Sequence, residues 1–227
     1  MSRTRRDPYL RTRWTITPAF VQPQLLRDQE SWTLHATVLH HGAQLWRLAA
    51  RSPRPLHQAV ERCARCFQRE FGYDFVQYSA DEAYRTTETQ AWLWTTMSLA
   101  DDAPCLVLGA ACLRWRTYTN LAEAFWALQW IWLHPYARHH GVFRAAWPLL
   151  LARYDGVHLE PPVSSTLQRL VAGTPTRTLH TTEGTPVTLY LPPPPAAEGA
   201  ADPGTTSDYF AKLNDLAQLS AEGGTSR

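Results

Sequence analysis

The stretch Trp130–Leu151, WIWLHPYARHHGVFRAAWPLLL, decides how this chain is read. Its first residues are apolar on both faces of an extended chain. Its last residues repeat apolar side chains at helical spacing. Pro135, Arg138, His139, His140 and Gly141 stand between them. The pattern predicts a buried strand, a short basic loop and a helix. A loop that runs straight into a helix leaves several backbone N–H groups without acceptors, and the helix dipole favours an anion there. Gly141 allows a tight turn and a close approach of a ligand to the backbone. Arg138 adds a planar fixed charge suited to phosphate. His139 and His140 add charge when protonated. Arg138 to Phe143 therefore reads as a candidate phosphate cradle, and an ordinary strand–helix connection is the plainer alternative.

The strand extends back to about Ala124. On a regular strand Phe125, Ala127, Gln129, Ile131 and Leu133 share one face, and Trp126, Leu128, Trp130 and Trp132 share the other. Both faces are apolar, so the strand is expected at the centre of a sheet covered on both sides. Gln129 is its only polar side chain and needs a partner if buried. Upstream, alternation and turn residues predict strands near 32–40 and 44–50 joined around His41-Gly42. A helix over 55–71 ends at Gly72, and a shorter one follows over 80–88. Strands over 90–99 and 105–118 come next. Downstream, a helix over 142–154 stops at Asp155-Gly156. VHLEPP (157–162) reads as a strand, and SSTLQRLVA (164–172) as a short helix capped by Ser164 or Ser165. A closing hairpin turns at Glu183-Gly184. This order predicts a mixed α/β fold, with helices packed on a mostly antiparallel sheet.

Three regions follow. Residues 1–30 are rich in Arg and Pro and are expected to be loosely ordered. Residues 31–191 form the domain, including its N-terminal hairpin. Residues 192–227 open with four prolines, continue rich in Ala, Gly, Thr and Ser, and are expected to be mostly disordered. The net charge of +2 makes the chain no polycation. Arg3, Arg5, Arg6, Arg11 and Arg13 keep a nucleic-acid contact open, although a solvated tail is the simpler reading. The most apolar run, Leu121–Leu133, is too short to span a bilayer and contains Glu123 and Gln129. A cytoplasmic protein without a membrane segment is expected, and a homodimer stays open. Cys63 and Cys66 form a CxxC, but they lie on a helical stripe with Leu56, Val60, Phe67 and Phe71. They read as packing thiols and not as a metal site. Cys105 and Cys112 are seven residues apart on a strand, which places them on opposite faces.

The central stretch resembles motif A of the GNAT (Gcn5-related) N-acetyltransferase superfamily. In that family a central strand ends in aliphatic-x-Pro and runs into Arg/Gln-x-x-Gly-x-Gly/Ala at a helix start. Leu133, His134 and Pro135 match the strand end, and Arg138 to Gly141 match R-x-x-G. Phe143 stands where the family has a second small residue. PCLVLGAACLRW (104–115) is similar to the preceding strand, with Leu108-Gly109 at its mid-strand Val-Gly. VHLEPPVSSTLQRL (157–170) is similar to the following strand and helix, where the family splays two strands apart. The resemblance spans about residues 55–191; one of the two strands at 32–50 would be the family's first strand and the other an extension.

The resemblance implies an acetyl-CoA-dependent N-acetyltransferase acting on an amine-bearing acceptor by direct attack on the thioester, with no metal. Pantetheine would pair with backbone around Ile131 and Leu133. Pyrophosphate would sit on the amides of Arg138, His139, His140, Gly141, Val142 and Phe143. Many members carry a glutamate at the position of Gln129 and a tyrosine on the helix after the splayed strand, and this chain has neither. The candidate catalytic side chains are then Glu160, Ser164 and Ser165, with Glu123 and His134 as further candidate bases. A non-catalytic acyl-CoA-binding or interaction module on the same fold is the alternative.

Overall fold

The computed structural model describes residues 19–38, 41–98, 103–117, 121 and 123–193. Among them, nine strands form one curled, mostly antiparallel sheet, a half-barrel with four helices. The strands are β1 (Phe20–Val21), β2 (Glu30–Val38), β3 (His41–Leu48), β4 (Thr89–Thr96), β5 (Cys105–Arg116), β6 (Phe125–Leu133), β7 (Val157–Leu159), β8 (Thr176–His180) and β9 (Pro186–Tyr190). The helices are α1 (Arg54–Phe71), α2 (Ala80–Arg85), α3 (Val142–Tyr154) and α4 (Ser165–Val171). The sheet order is β2-β3-β4-β5-β6-β7-β9-β8, and β1 pairs with β5. β6 and β7 run parallel, while every other neighbouring pair is antiparallel.

Local chemistry explains where the helices begin and end. α1 carries a proline in its first turn, where a missing N–H costs nothing, and stops at Gly72, whose φ is +72°. Ser79 caps α2 by accepting from the Glu82 N–H. α3 stops at Asp155, again in the left-handed region. The helix over 142–154, the stop at Gly72 and the hairpin around Glu183-Gly184 stand where the sequence placed them.

Two layers of core flank the sheet. On one face α3 packs Ala146, Trp147, Leu150 and Leu151 against Leu45, Trp92, Ala111 and Leu128. On the other, α1 packs Leu56, Val60, Cys63 and Phe67 against Leu93, Ala110, Cys112 and Trp130. The β2–β3 hairpin is tied in by a polar network. Tyr154 accepts from Trp92 Nε1 and donates to Gln90 Oε1, both at 2.8 Å. Arg47 bonds Gln90 at 3.2 Å and pairs with Glu30.

The structure departs from the expected faces. The β5–β6 register jumps between Cys112↔Trp130 and Leu113↔Leu128, so Gln129 is an extra residue on β6. Such a bulge inverts the side-chain alternation beyond it. Trp126, Leu128, Ile131 and Leu133 therefore lie in the α3 layer, and Trp130 and Trp132 turn to the α1 layer. The β4–β5 register makes a similar jump at Leu108. It puts Cys105 and Cys112 in the same layer despite their odd spacing. Two further expectations shift. The packed region begins before residue 31, since β1 pairs with β5 and Val21 and Leu26 are buried. His41-Gly42 begins β3 and is no turn. The N-terminal arginines and the tail from residue 194 onward lie outside the described residues.

Candidate functional site

β6 and β7 pair only over Trp126↔Val157, Ala127↔His158 and Leu128↔Leu159. The last rung is the Glu160 N–H on the Leu128 carbonyl, at 3.1 Å. Beyond it the two strands part, while β6 continues through Leu133 beside β5 alone. On the other side, the His134 N–H donates to the Leu108 carbonyl at 2.8 Å, and Trp132 and Trp130 sit opposite Ala110 and Cys112. Hydrogen-bonded positions alternate along an antiparallel strand. Trp130, Trp132 and His134 thus bond toward β5, and Ile131 and Leu133 aim their backbone groups at the edge that β7 has left. Arg138 Nε donates to the Leu133 carbonyl at 2.9 Å. Among the described residues, no strand pairs with the Ile131 N–H and carbonyl or the Leu133 N–H.

The loop that follows continues this edge. His134 accepts from the Tyr136 N–H through Nδ1 at 3.3 Å, and Pro135–Ala137 form a 3-10 turn. His139 has φ +67° and Gly141 has φ +75°. The first backbone bond of α3 runs from the Ala145 N–H to the Gly141 carbonyl, at 2.9 Å. That leaves Val142, Phe143 and Arg144 at the helix start with N–H groups that no earlier turn of the helix can accept. The first turn of α3 has no acidic residue. Such an end can hold an anion.

The predicted residues divide by what the structure brings together. Ile131, Leu133 and Arg138 to Phe143 form one continuous line from the open edge to the helix start. His139, His140 and Gly141 are exposed. Val142 and Phe143 give their backbones to the helix start and their side chains to the core; Phe143 packs on Trp94 and Trp147, with centroids at 6.3 and 5.7 Å. Its bulk therefore does not occupy the loop. Arg138 does not extend a free charge as expected. Its guanidinium bonds both carboxylate oxygens of Glu70, at 2.8 and 2.7 Å.

Most of the candidate catalytic side chains already hold partners. Glu160 is held by Arg116 at 2.5 Å. Ser164 Oγ caps α4 by accepting from the Leu167 N–H at 3.2 Å. Ser165 is exposed in the first turn of α4. Glu123 pairs with Arg177 at 2.8 Å. The Gln129 Oε1 is buried without a hydrogen-bond partner among the described residues. His134 is 8% exposed, and burial together with the nearby Arg138 charge pushes its pKa below the usual histidine value. Burial pushes the Cys112 thiol up to about 12 and raises that of Cys63 as well, so neither supplies a thiolate at neutral pH. Among the described residues no group of three His, Cys, Asp or Glu is arranged to hold a metal ion. No helix there is long and apolar enough to cross a membrane.

Glu70 is the residue that reading the sequence missed. It takes Arg138 and, at 2.8 Å, Trp132 Nε1. One signal was available: Glu70 stands seven residues after Cys63 and three after Phe67, on the flank of the buried stripe of α1. Compared with protein-family models and with curated proteins, the chain matches none.

Proposed function

We propose that the protein is an N-acetyltransferase that uses acetyl-CoA to acetylate an amine. The observation that carries this reading is the open edge of β6 running directly into an amide-rich loop at the start of α3. A pantetheine arm presents amides along an extended line and needs backbone partners. A pyrophosphate needs converging N–H donors. Ile131 and Leu133 supply the first, and the amides from His139 to Phe143 supply the second. The motif A resemblance falls on these same residues, and the parting of β6 and β7 agrees with what it implies.

Acetyl-CoA supplies the activated thioester. In the transfer the amine nitrogen bonds to the acetyl carbon, the carbon–sulfur bond breaks, and the amine proton is released as CoA leaves. The chain's own part is to hold and orient. Gln129 is an amide, Glu160 is paired and Ser164 is a cap, which favours rate enhancement by positioning an amine that arrives neutral. The same observation supports a second reading, an acyl-CoA-binding module without turnover.

Acetyl-CoA should raise the melting temperature of the protein, because a ligand that binds only the folded state stabilises it. A panel of amines, followed by release of the CoA thiol, then separates the two readings. Thiol release with one amine supports the enzyme, and binding without release supports the module. An unchanged melting temperature at millimolar acetyl-CoA overturns both.

A further inference from the structure

Glu70 lies in the last turn of α1 with its side chain 11% exposed. It joins three segments. Its carboxylate receives both terminal nitrogens of Arg138 from the loop and the indole N–H of Trp132 from β6. The third guanidinium nitrogen of Arg138 reaches back to the Leu133 carbonyl. We infer that Glu70 is the positioning residue of the anion loop: it clamps Arg138 and Trp132 so that backbone N–H groups, and not the guanidinium, receive the ligand's phosphates. This inference rests on the acetyl-CoA reading above.

Three arguments support it. A carboxylate beside an anion site repels the ligand unless its own charge is compensated. Here the bidentate Arg138 compensates it, and the pair is neutral as a unit. A nearly buried carboxylate is costly without partners, so this geometry resists rearrangement. The backbone directly after Arg138 is also unfavourable, because His139 sits at φ +67° without being glycine. Such a turn persists only when its surroundings hold it. The clamp on the preceding residue does so from the α1 side, and the start of α3 does so from the other.

The test is titration calorimetry with CoA on the full chain, comparing the parent with Glu70→Gln, Glu70→Ala, Arg138→Ala and the double variant Glu70→Ala/Arg138→Ala. Hydrogen exchange of the backbone amides over 136–145 is followed in parallel. Glu70→Ala should bind CoA about ten-fold more weakly, with the double variant no weaker than Glu70→Ala alone, because both changes remove one coupled unit. Glu70→Gln keeps the shape but not the charge and should fall between. Faster exchange should be confined to the loop while α1 and the sheet keep their protection, which a general loss of stability would not produce. Unchanged or tighter CoA binding by folded Glu70→Ala overturns the inference, as does a double variant whose loss is the product of the single losses. If Glu70→Ala does not fold, Glu70→Gln carries the same criteria. A parent that binds CoA beside a Glu70 variant that binds equally well overturns the clamp alone, whereas a parent that binds no CoA overturns the clamp and the acetyl-CoA reading together.

Discussion

The two halves of β6 belong to one strand but live in different surroundings. Trp126–Leu128 runs between β5 and β7, with partners on both edges. Trp130–Leu133 keeps β5 and has lost β7. In the first half the ladder satisfies the backbone, and the side chains serve as core. In the second, the side chains still serve as core, but the backbone of Ile131 and Leu133 faces an edge left open in the middle of a sheet. Backbone polar groups away from water require partners. On the reading proposed above, that open edge takes an extended, amide-bearing ligand. The binding potential of this fold thus lies in main-chain geometry, and its side chains mostly hold that geometry in place.

The comparison can be broken first beside the bulge. Inserting one residue between Trp130 and Ile131 reverses the alternation there and turns Trp130 or Trp132 toward α3, into space already filled by Trp147 and Leu150. The variant should have no cooperative melting transition and no near-ultraviolet circular dichroism. An insertion variant that melts cooperatively would show that this alternation does not decide the two faces.

The next effect in size is at Gly109, opposite Leu133. A Cβ there would stand 2.4 Å from the Trp132 carbonyl oxygen and 2.9 Å from the Leu133 Cα, both main-chain atoms. Gly109→Val should cost ~3 kcal/mol or more, measured by urea unfolding, because neither strand can yield without disturbing the open half. Gly141 gives the contrast. An added Cβ there meets nothing within 4 Å, and only φ +75° opposes it. Gly141→Val should lose only ~1–2 kcal/mol of stability but most of its affinity for CoA. Retained CoA affinity in calorimetry would reduce the loop to a mere connection.

The smallest effect is with pH. His134 closes the open half, with Arg138 and Tyr136 beside it, and its folded pKa lies below its usual 6.5. The unfolded chain therefore binds this proton more readily than the folded one. The resulting contribution to stability is present above pH 6.5 and is lost as the pH falls toward the lowered folded value. Melting temperatures between pH 7.5 and 5 should show His134→Asn falling less steeply than the parent. Equal slopes would remove His134 from the account, leaving His57, also lowered by burial, as the remaining candidate.

Much of this molecule was legible in the sequence alone. The span of α3, the stop of α1 at Gly72 and the serine cap of α4, though not which of Ser164 and Ser165 provides it, all depend on chemistry within a few residues, which a linear reading sees. So does the start of α3 as a place where backbone N–H groups collect, whereas the open edge at Ile131 and Leu133 depends on where β7 stops pairing. What the tertiary structure decided was which face each residue takes and which charges are already used. Alternation predicts faces only while the register is unbroken, and the bulges at Leu108 and Gln129 arise from pairing with neighbouring strands. Arg138 and Glu160 both look available in the sequence. Their partners, Glu70 and Arg116, lie 68 and 44 residues away, and only folding brings them together.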